Sequence, residues 1–130
     1  MHNTKLTERS QHMAKEYNYK NHSKISEAMR IHNTIIPGDK FTLLDFNLLC
    51  FIKSFYASGN KFYITNDQLA NQLLSSEKSI RRSIDRLCAA QLIKKELING
   101  KRNNGRYLIY QPDKVDTFIS EMRLAEKEMM

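Results

Sequence analysis

Nine basic side chains share residues 78–106 with only two acidic ones: Lys78, Arg81, Arg82, Arg86, Lys94, Lys95, Lys101, Arg102 and Arg106 against Asp85 and Glu96. Their surplus equals the +7 carried by the whole chain, because elsewhere acids and bases are equal in number. Charge confined in this way makes a directional field, and its commonest target is a regular polyanion. The available chemistry is counterion displacement from phosphates, with guanidinium forks able to pair with guanine edges. Nucleic acid is the leading partner these residues imply.

Other chemistries find little support. There is no glycine-rich phosphate loop, no pair of carboxylates in an apolar setting and no nucleophile with a histidine partner, so an enzyme is not expected. Cys50 and Cys88 each fall within an apolar helical pattern and read as buried free thiols. His2, His12, His22 and His32 recur at steps of ten, which suits neither a helix face nor a compact loop, so no metal site and no cofactor are expected. No apolar run approaches a membrane span and the N-terminus lacks a secretion-signal layout, which makes the cytoplasm the expected compartment. Thirteen lysines, twelve isoleucines and eleven asparagines point weakly to an AT-rich coding sequence, such as that of a low-GC bacterium or its mobile elements.

The elements that must position the cations can be read in order. Residues 1–30 are polar; Met13 and Tyr17, four apart, could anchor a short helix, and a mobile arm fits equally well. Met29 to Ile36 reads as a short strand closed by Pro37-Gly38-Asp39. Thr42 and Asp45 form a capping box opening a helix, with Leu44, Leu48, Phe51, Ile52 and Phe55 on its buried face. Ser58-Gly59-Asn60 ends that helix, and Phe62-Tyr63-Ile64 reads as a small strand. Thr65 and Gln68 make a second capping box, for a short helix with Leu69, Ala70 and Leu73 inward. Ser76 caps a third helix whose apolar stripe is Ile80, Ile84 and Leu87. Residues 92–98 and 106–110 are strand-like, and the turn-rich linker between them suits a hairpin. Asp113 to about Glu128 is helical.

Helical geometry decides which side chains of the third helix face outward. At about 100° per residue, Lys78, Ser79, Arg82, Asp85 and Arg86 fall more than about 100° from the centre of the apolar stripe, with Arg81 on the flank. Lys78 and Arg82 lie a turn apart near the helix N-terminus, the part of a recognition helix that reaches base edges. Ser76 and Ser79, with the free amides of the first turn, suit a phosphate. An ordinary charged surface, with Asp85 paired to Arg81 or Arg82, is the plainer alternative. Lys101, Arg102 and Arg106 in and beside the hairpin loop favour nucleic acid instead. Lys94 and Lys95 weigh less, since edge strands often carry lysine.

The run Thr65-x3-Leu69-Ala70-x2-Leu73-x2-Ser76-x2-Ser79-Ile80-x3-Ile84-x2-Leu87-x4-Leu92-Ile93 resembles the winged helix-turn-helix core of many bacterial regulators. With the strand and helix before it, the chain looks most like the winged-helix domains of phage and plasmid replication proteins, including replication initiators and DnaD-type organisers. The resemblance covers roughly residues 29–111. It implies a mainly α fold with a small antiparallel β-hairpin, to which the helical pattern from Asp113 to about Glu128 adds an extra C-terminal helix. It also implies a recognition helix near 76–88 in the major groove and a wing near 99–106 on the backbone or minor groove. Those roles transfer to Ser76, Lys78, Ser79, Arg82, Arg86, Lys101 and Arg102, and the expected DNA-binding set adds Thr65, Arg81 and Arg106 to them. Leu74 and Gln91 stand where many members have glycine, so both connections are expected to depart from the usual geometry.

Three segments follow: an arm or short helix over 1–30, the winged helix-turn-helix over 31–111 and a C-terminal helix over 112–130. In the last, Val115, Phe118, Met122, Ala125 and Met129 step three and four apart, a short heptad seam with Ile119 beside it. That seam either packs back on the first helix or pairs with its twin. DNA half-sites reward two-fold symmetry, so a homodimer through this helix is the expectation carried forward. The functional expectation is a sequence-specific regulator or replication-associated protein of a bacterial mobile element. The alternative is a winged-helix adaptor that binds protein in a replication or secretion complex.

Overall fold

Side-chain caps set where the three middle helices begin. Thr42 accepts a hydrogen bond from the Asp45 amide, and the Asp45 carboxylate accepts one from the Thr42 amide. Thr65 and Gln68 repeat that reciprocal arrangement, and Ser76 accepts from the Ser79 amide. Each cap satisfies amides that the first helical turn would otherwise leave bare.

The computed structural model describes residues 22–101 and 105–129. In order these form α1 (22–35), α2 (Leu43–Ala57), α3 (Asn66–Gln72), α4 (Glu77–Ala89), β1 (Ile93–Leu97), β2 (Arg106–Tyr110) and α5 (Pro112–Met129). The two strands are antiparallel, Ile93 opposite Tyr110 and Leu97 opposite Arg106. This is an α+β winged helix-turn-helix with an added C-terminal helix, as the sequence pattern indicates. The segment expected to hold Met13 and Tyr17 lies outside the described residues, as does Arg102.

Three expectations need correction. Met29 to Ile36 is not a strand: residues 29–35 continue α1, with Ile25, Ala28 and Met29 in the main core and Ile31 also buried. Ile25, Ala28 and Met29 sit at helical spacing, and burying that face outweighs the strand preference of the isoleucines that follow. No element boundary therefore falls at residue 31. Phe62 to Ile64 contributes a single bridge, Phe62 to Leu108, rather than a strand. Phe62 is instead an aromatic core residue, edge-on to Phe51 and Phe55.

The third correction concerns the connections. Leu74 and Gln91 adopt the left-handed conformation that glycine usually supplies, at φ 52° and 63°. The geometry is kept and the residue is strained. Tertiary packing imposes it, because Ile80, Ile84 and Leu87 of α4 and Leu92 beyond it must all enter the core. The Leu92 amide closes the second connection by donating to the Leu87 carbonyl at 3.0 Å.

The C-terminal helix finds its partner within the chain. Val115 and Ile119 are buried, and the Phe118 ring meets His32 of α1 at 6.1 Å and Phe41 at 5.7 Å. Met122 packs on the same core, and Arg30 reaches Glu126 at 3.5 Å. The seam expected to face a twin is thus largely spent on α1 and the core, while Ala125 is half-buried and Met129 is 68% exposed. The sequence reading lacked α1 as a helix and so lacked the surface that α5 covers.

Two outcomes test this packing. Gln91→Gly should raise stability by about 0.5–1 kcal/mol in urea denaturation, since relief of about 1–2 kcal/mol of left-handed strain exceeds glycine's added chain entropy. At the start of α1, His22 Nε2 is buried with no hydrogen-bond partner among the described residues. Burial first, then the nearby Lys53 charge, lowers its pKa below the ordinary 6.5. The folded state holds this ring neutral, so its contribution is complete above about pH 6.5 and is lost as pH falls toward the lower folded value. The urea midpoint should therefore fall more steeply for the native chain than for His22→Gln between about pH 7 and pH 5.5. Equal slopes would remove His22 from the account.

Candidate nucleic-acid interface

Helix α4 presents two different faces. Ile80, Ser83, Ile84 and Leu87 are buried, while Lys78, Arg81 and Arg82 are exposed. Among the described residues no ion pair joins Asp85, or any other acid, to these three cations. The plainer alternative of a self-satisfied charged face is not what forms, although Arg82 borders one hollow with Asp39 and Asp85. Lys101 is likewise exposed at the start of the hairpin loop.

Helix and hairpin meet on one side. Thr65 and Asn66 at the start of α3, Glu77 at the start of α4, and Ile98, Gly105 and Arg106 at the base of the loop border a single shallow hollow. The Ile98 amide donates to the Gly105 carbonyl at 3.0 Å, which closes the loop at its base. Gly105 has φ 89° and Asn99 φ 54°, so the chain reverses through left-handed residues. The first turn of α4 and the root of the wing therefore face the same region.

Arg86 does not join them. Its side chain is 20% exposed, and its Nε donates to Asp45 Oδ2 at 2.8 Å while Nη2 donates to Oδ1 at 3.2 Å. Asp45 is fully buried and also accepts from the Ser83 hydroxyl. Hydrogen bonding to Asp45 holds the Arg86 pKa above its ordinary value, against an opposing desolvation penalty. Asp39 adds a contact at 3.6 Å. Counting only apolar side chains had made the buried arc of α4 too narrow, because Ser83 and its acceptor widen it to include Arg86. Arg86 is a positioning residue that fixes α4 on α2.

Arg106 is also used internally. Its guanidinium donates to the Ile64 carbonyl and to the Asn66 side-chain oxygen, both at 2.6 Å, tying β2 to the start of α3. Partial burial lowers its pKa. The Thr65 and Ser76 hydroxyls are taken up as caps, and Ser76 further donates to Ser79 at 3.0 Å. Ser79 keeps its own hydroxyl proton beside the first turn. Of the expected set, then, Lys78, Arg81, Arg82, Lys101 and Ser79 retain groups to offer, and Arg102 lies outside the described residues.

Residues 42–93 match the family model of a helix-turn-helix domain. That span runs from the α2 cap into β1, so it covers the three helices and stops short of the hairpin loop. No curated protein matches the chain. The helix-turn-helix match points to DNA as a partner, in keeping with the exposed cations of α4. Among the described residues, no helix is long and apolar enough to cross a membrane, and no cluster of three or more His, Cys, Asp or Glu side chains could hold a metal ion.

The Asp45 hub was not foreseen from sequence beyond its capping role. Its removal gives the test: Asp45→Ala should cost about 3–5 kcal/mol, since Arg86 and Ser83 would be left with unpaired buried donors. A chemical-denaturation loss under about 1 kcal/mol would show that the helices are aligned by apolar packing alone.

Proposed function

We propose that this protein binds double-stranded DNA in a sequence-dependent way, with α4 entering the major groove and the hairpin loop lying along the backbone or minor groove. One observation carries this reading. The N-terminal half of α4 holds three exposed cations that no acid among the described residues claims, beside a loop that adds Lys101. Lys78 and Arg82, one turn apart, are placed to reach base edges, while Arg81, Lys101 and Arg102 contact phosphates. The Ser79 hydroxyl and the first-turn amides suit a phosphate as well. Arg86 supports the interface indirectly by setting the tilt of α4.

The role assigned is a regulator or a replication-associated factor of a bacterial mobile element, acting in the cytoplasm. The winged helix-turn-helix resemblance and the lysine-, isoleucine- and asparagine-rich composition support that assignment. Protein-adaptor function is the competing class, and salt dependence separates the two. DNA binding through phosphates weakens steeply with salt, whereas an adaptor shows no such dependence on any duplex.

Fluorescence anisotropy on duplexes selected from a random pool checks the assignment. Arg82→Ala should cost about 1–3 kcal/mol on the preferred site and flatten sequence preference. Lys101→Ala should weaken every duplex alike and reduce the salt slope by about one unit. If Arg82→Ala matches the native chain on all duplexes, Arg82 does not read bases.

A further inference from the structure

A buried lysine lies at the meeting of α1, α2, β2 and α5, remote in sequence from the cationic helix. Lys53 is 6% exposed, and among the described residues no hydrogen bond or ion pair engages its ammonium. The ammonium stands 5.8 Å over the Tyr110 ring, a favourable but incomplete compensation. Lysines are almost never so buried without a partner, because withdrawing an unpaired ammonium from water is costly. Most of the Lys53 stem is packed away, and its ammonium keeps contact with water through the cleft it lines.

The side chain lines a cleft of about 360 Å³. Lys24 of α1 and Arg123 of α5 line it too, against a single acid, Asp116. Asp116 attracts Lys53 electrostatically without reaching ion-pair distance. Tyr56 and Ile119 supply apolar wall. The volume falls within the range of small-molecule sites, and three cations line a half-open depression with a partly apolar wall. No residue of α4 or of the hairpin loop borders it.

We infer that this cleft is a binding site for a small organic anion, a carboxylate or phosphate monoester with a planar apolar body, whose charge pairs with Lys53 on the floor and Lys24 and Arg123 beside it. The anion supplies the partner that Lys53 lacks, and the ring or chain rests against Tyr56 and Ile119. Asp116 and Ser120, on the α5 side, accept a hydrogen bond from a hydroxyl on the ligand and disfavour a second anionic group there. The site stands independently of DNA binding, since the two surfaces share no residue.

The test uses the full chain without DNA and three probes: 4-hydroxybenzoate, phenyl phosphate and the neutral 4-hydroxybenzyl alcohol, each at about 10 mM. Thermal unfolding and amide NMR shifts are recorded, with inorganic phosphate as the control for general anion effects. At least one aromatic anion should raise the melting temperature and shift amides of α1 and α5, with the neutral probe and inorganic phosphate inactive. The stronger of the two anions identifies carboxylate or phosphate as the natural group. Lys53→Met should raise the probe Kd about tenfold or more, as loss of a charge-assisted contact requires. Arg123→Gln and Lys24→Gln, at exposed positions, carry the same test should Lys53→Met fail to fold, and each should weaken binding by about threefold. Absence of any shift, equal shifts with inorganic phosphate, or undiminished binding in these variants would overturn the assignment.

Discussion

A single buried carboxylate ties the DNA-facing helix to the rest of the protein. Asp45 accepts from the Thr42 amide, the Ser83 hydroxyl and two nitrogens of Arg86, and so joins the start of α2 to the middle and end of α4. A charge with no exposure is tolerable only when its lone pairs are filled, and here each oxygen has two donors. Apolar stripes alone would let α4 slide or roll on α2 with small energetic differences. The forked Arg86 contact has one good geometry, so it selects one rotation of α4 and thereby decides which side chains remain outside.

That selection changes what the basic cluster means. Counted along the chain, the positive residues of 78–106 look like one undivided reservoir. In three dimensions they divide by task. Arg86 and Arg106 are consumed in holding α4 on α2 and the hairpin on α3. Lys78, Arg81 and Arg82 are left facing solvent as a compact set on the N-terminal half of α4. Arginine suits the internal roles because its planar fork spends several donors on fixed acceptors and never loses its proton. The same residue type therefore builds the frame and supplies the reading head, and sequence composition cannot separate the two uses.

Much of the fold was legible because the signals were local. Thr42 with Asp45, Thr65 with Gln68, and Ser76 announced three helix starts, and all three caps form. Turn residues between two strand-like runs announced the hairpin. Arg86 was misplaced because its partner lies 41 residues away, and Arg106 because its acceptors lie about as far upstream. The first helix was missed for a different reason: its later residues, Ile31, Thr34 and Ile35, are strand formers, as is Ile36 just after it, and the face that matters, Ile25 with Ala28 and Met29, begins before them. Without α1 the intrachain surface for Val115, Phe118 and Met122 was incomplete, so packing back on the core and pairing with a twin stood as competing readings of α5.

Leu74 and Gln91 show how strongly the tertiary arrangement governs local geometry. Both connections to α4 use left-handed residues, and neither is glycine. Leu74 is 93% exposed, so no side-chain burial rewards the strain there. The compensation is delocalised: the two turns let Leu69, Ile80, Ile84, Leu87 and Leu92 enter one core, and each fully buried aliphatic side chain contributes about 1.5–3 kcal/mol. Against that, about 1–2 kcal/mol per strained residue is affordable. The helix-turn-helix geometry is thus a property of how its apolar stripes and the Asp45 hub must meet, and the turns conform to it even with leucine and glutamine in place of glycine.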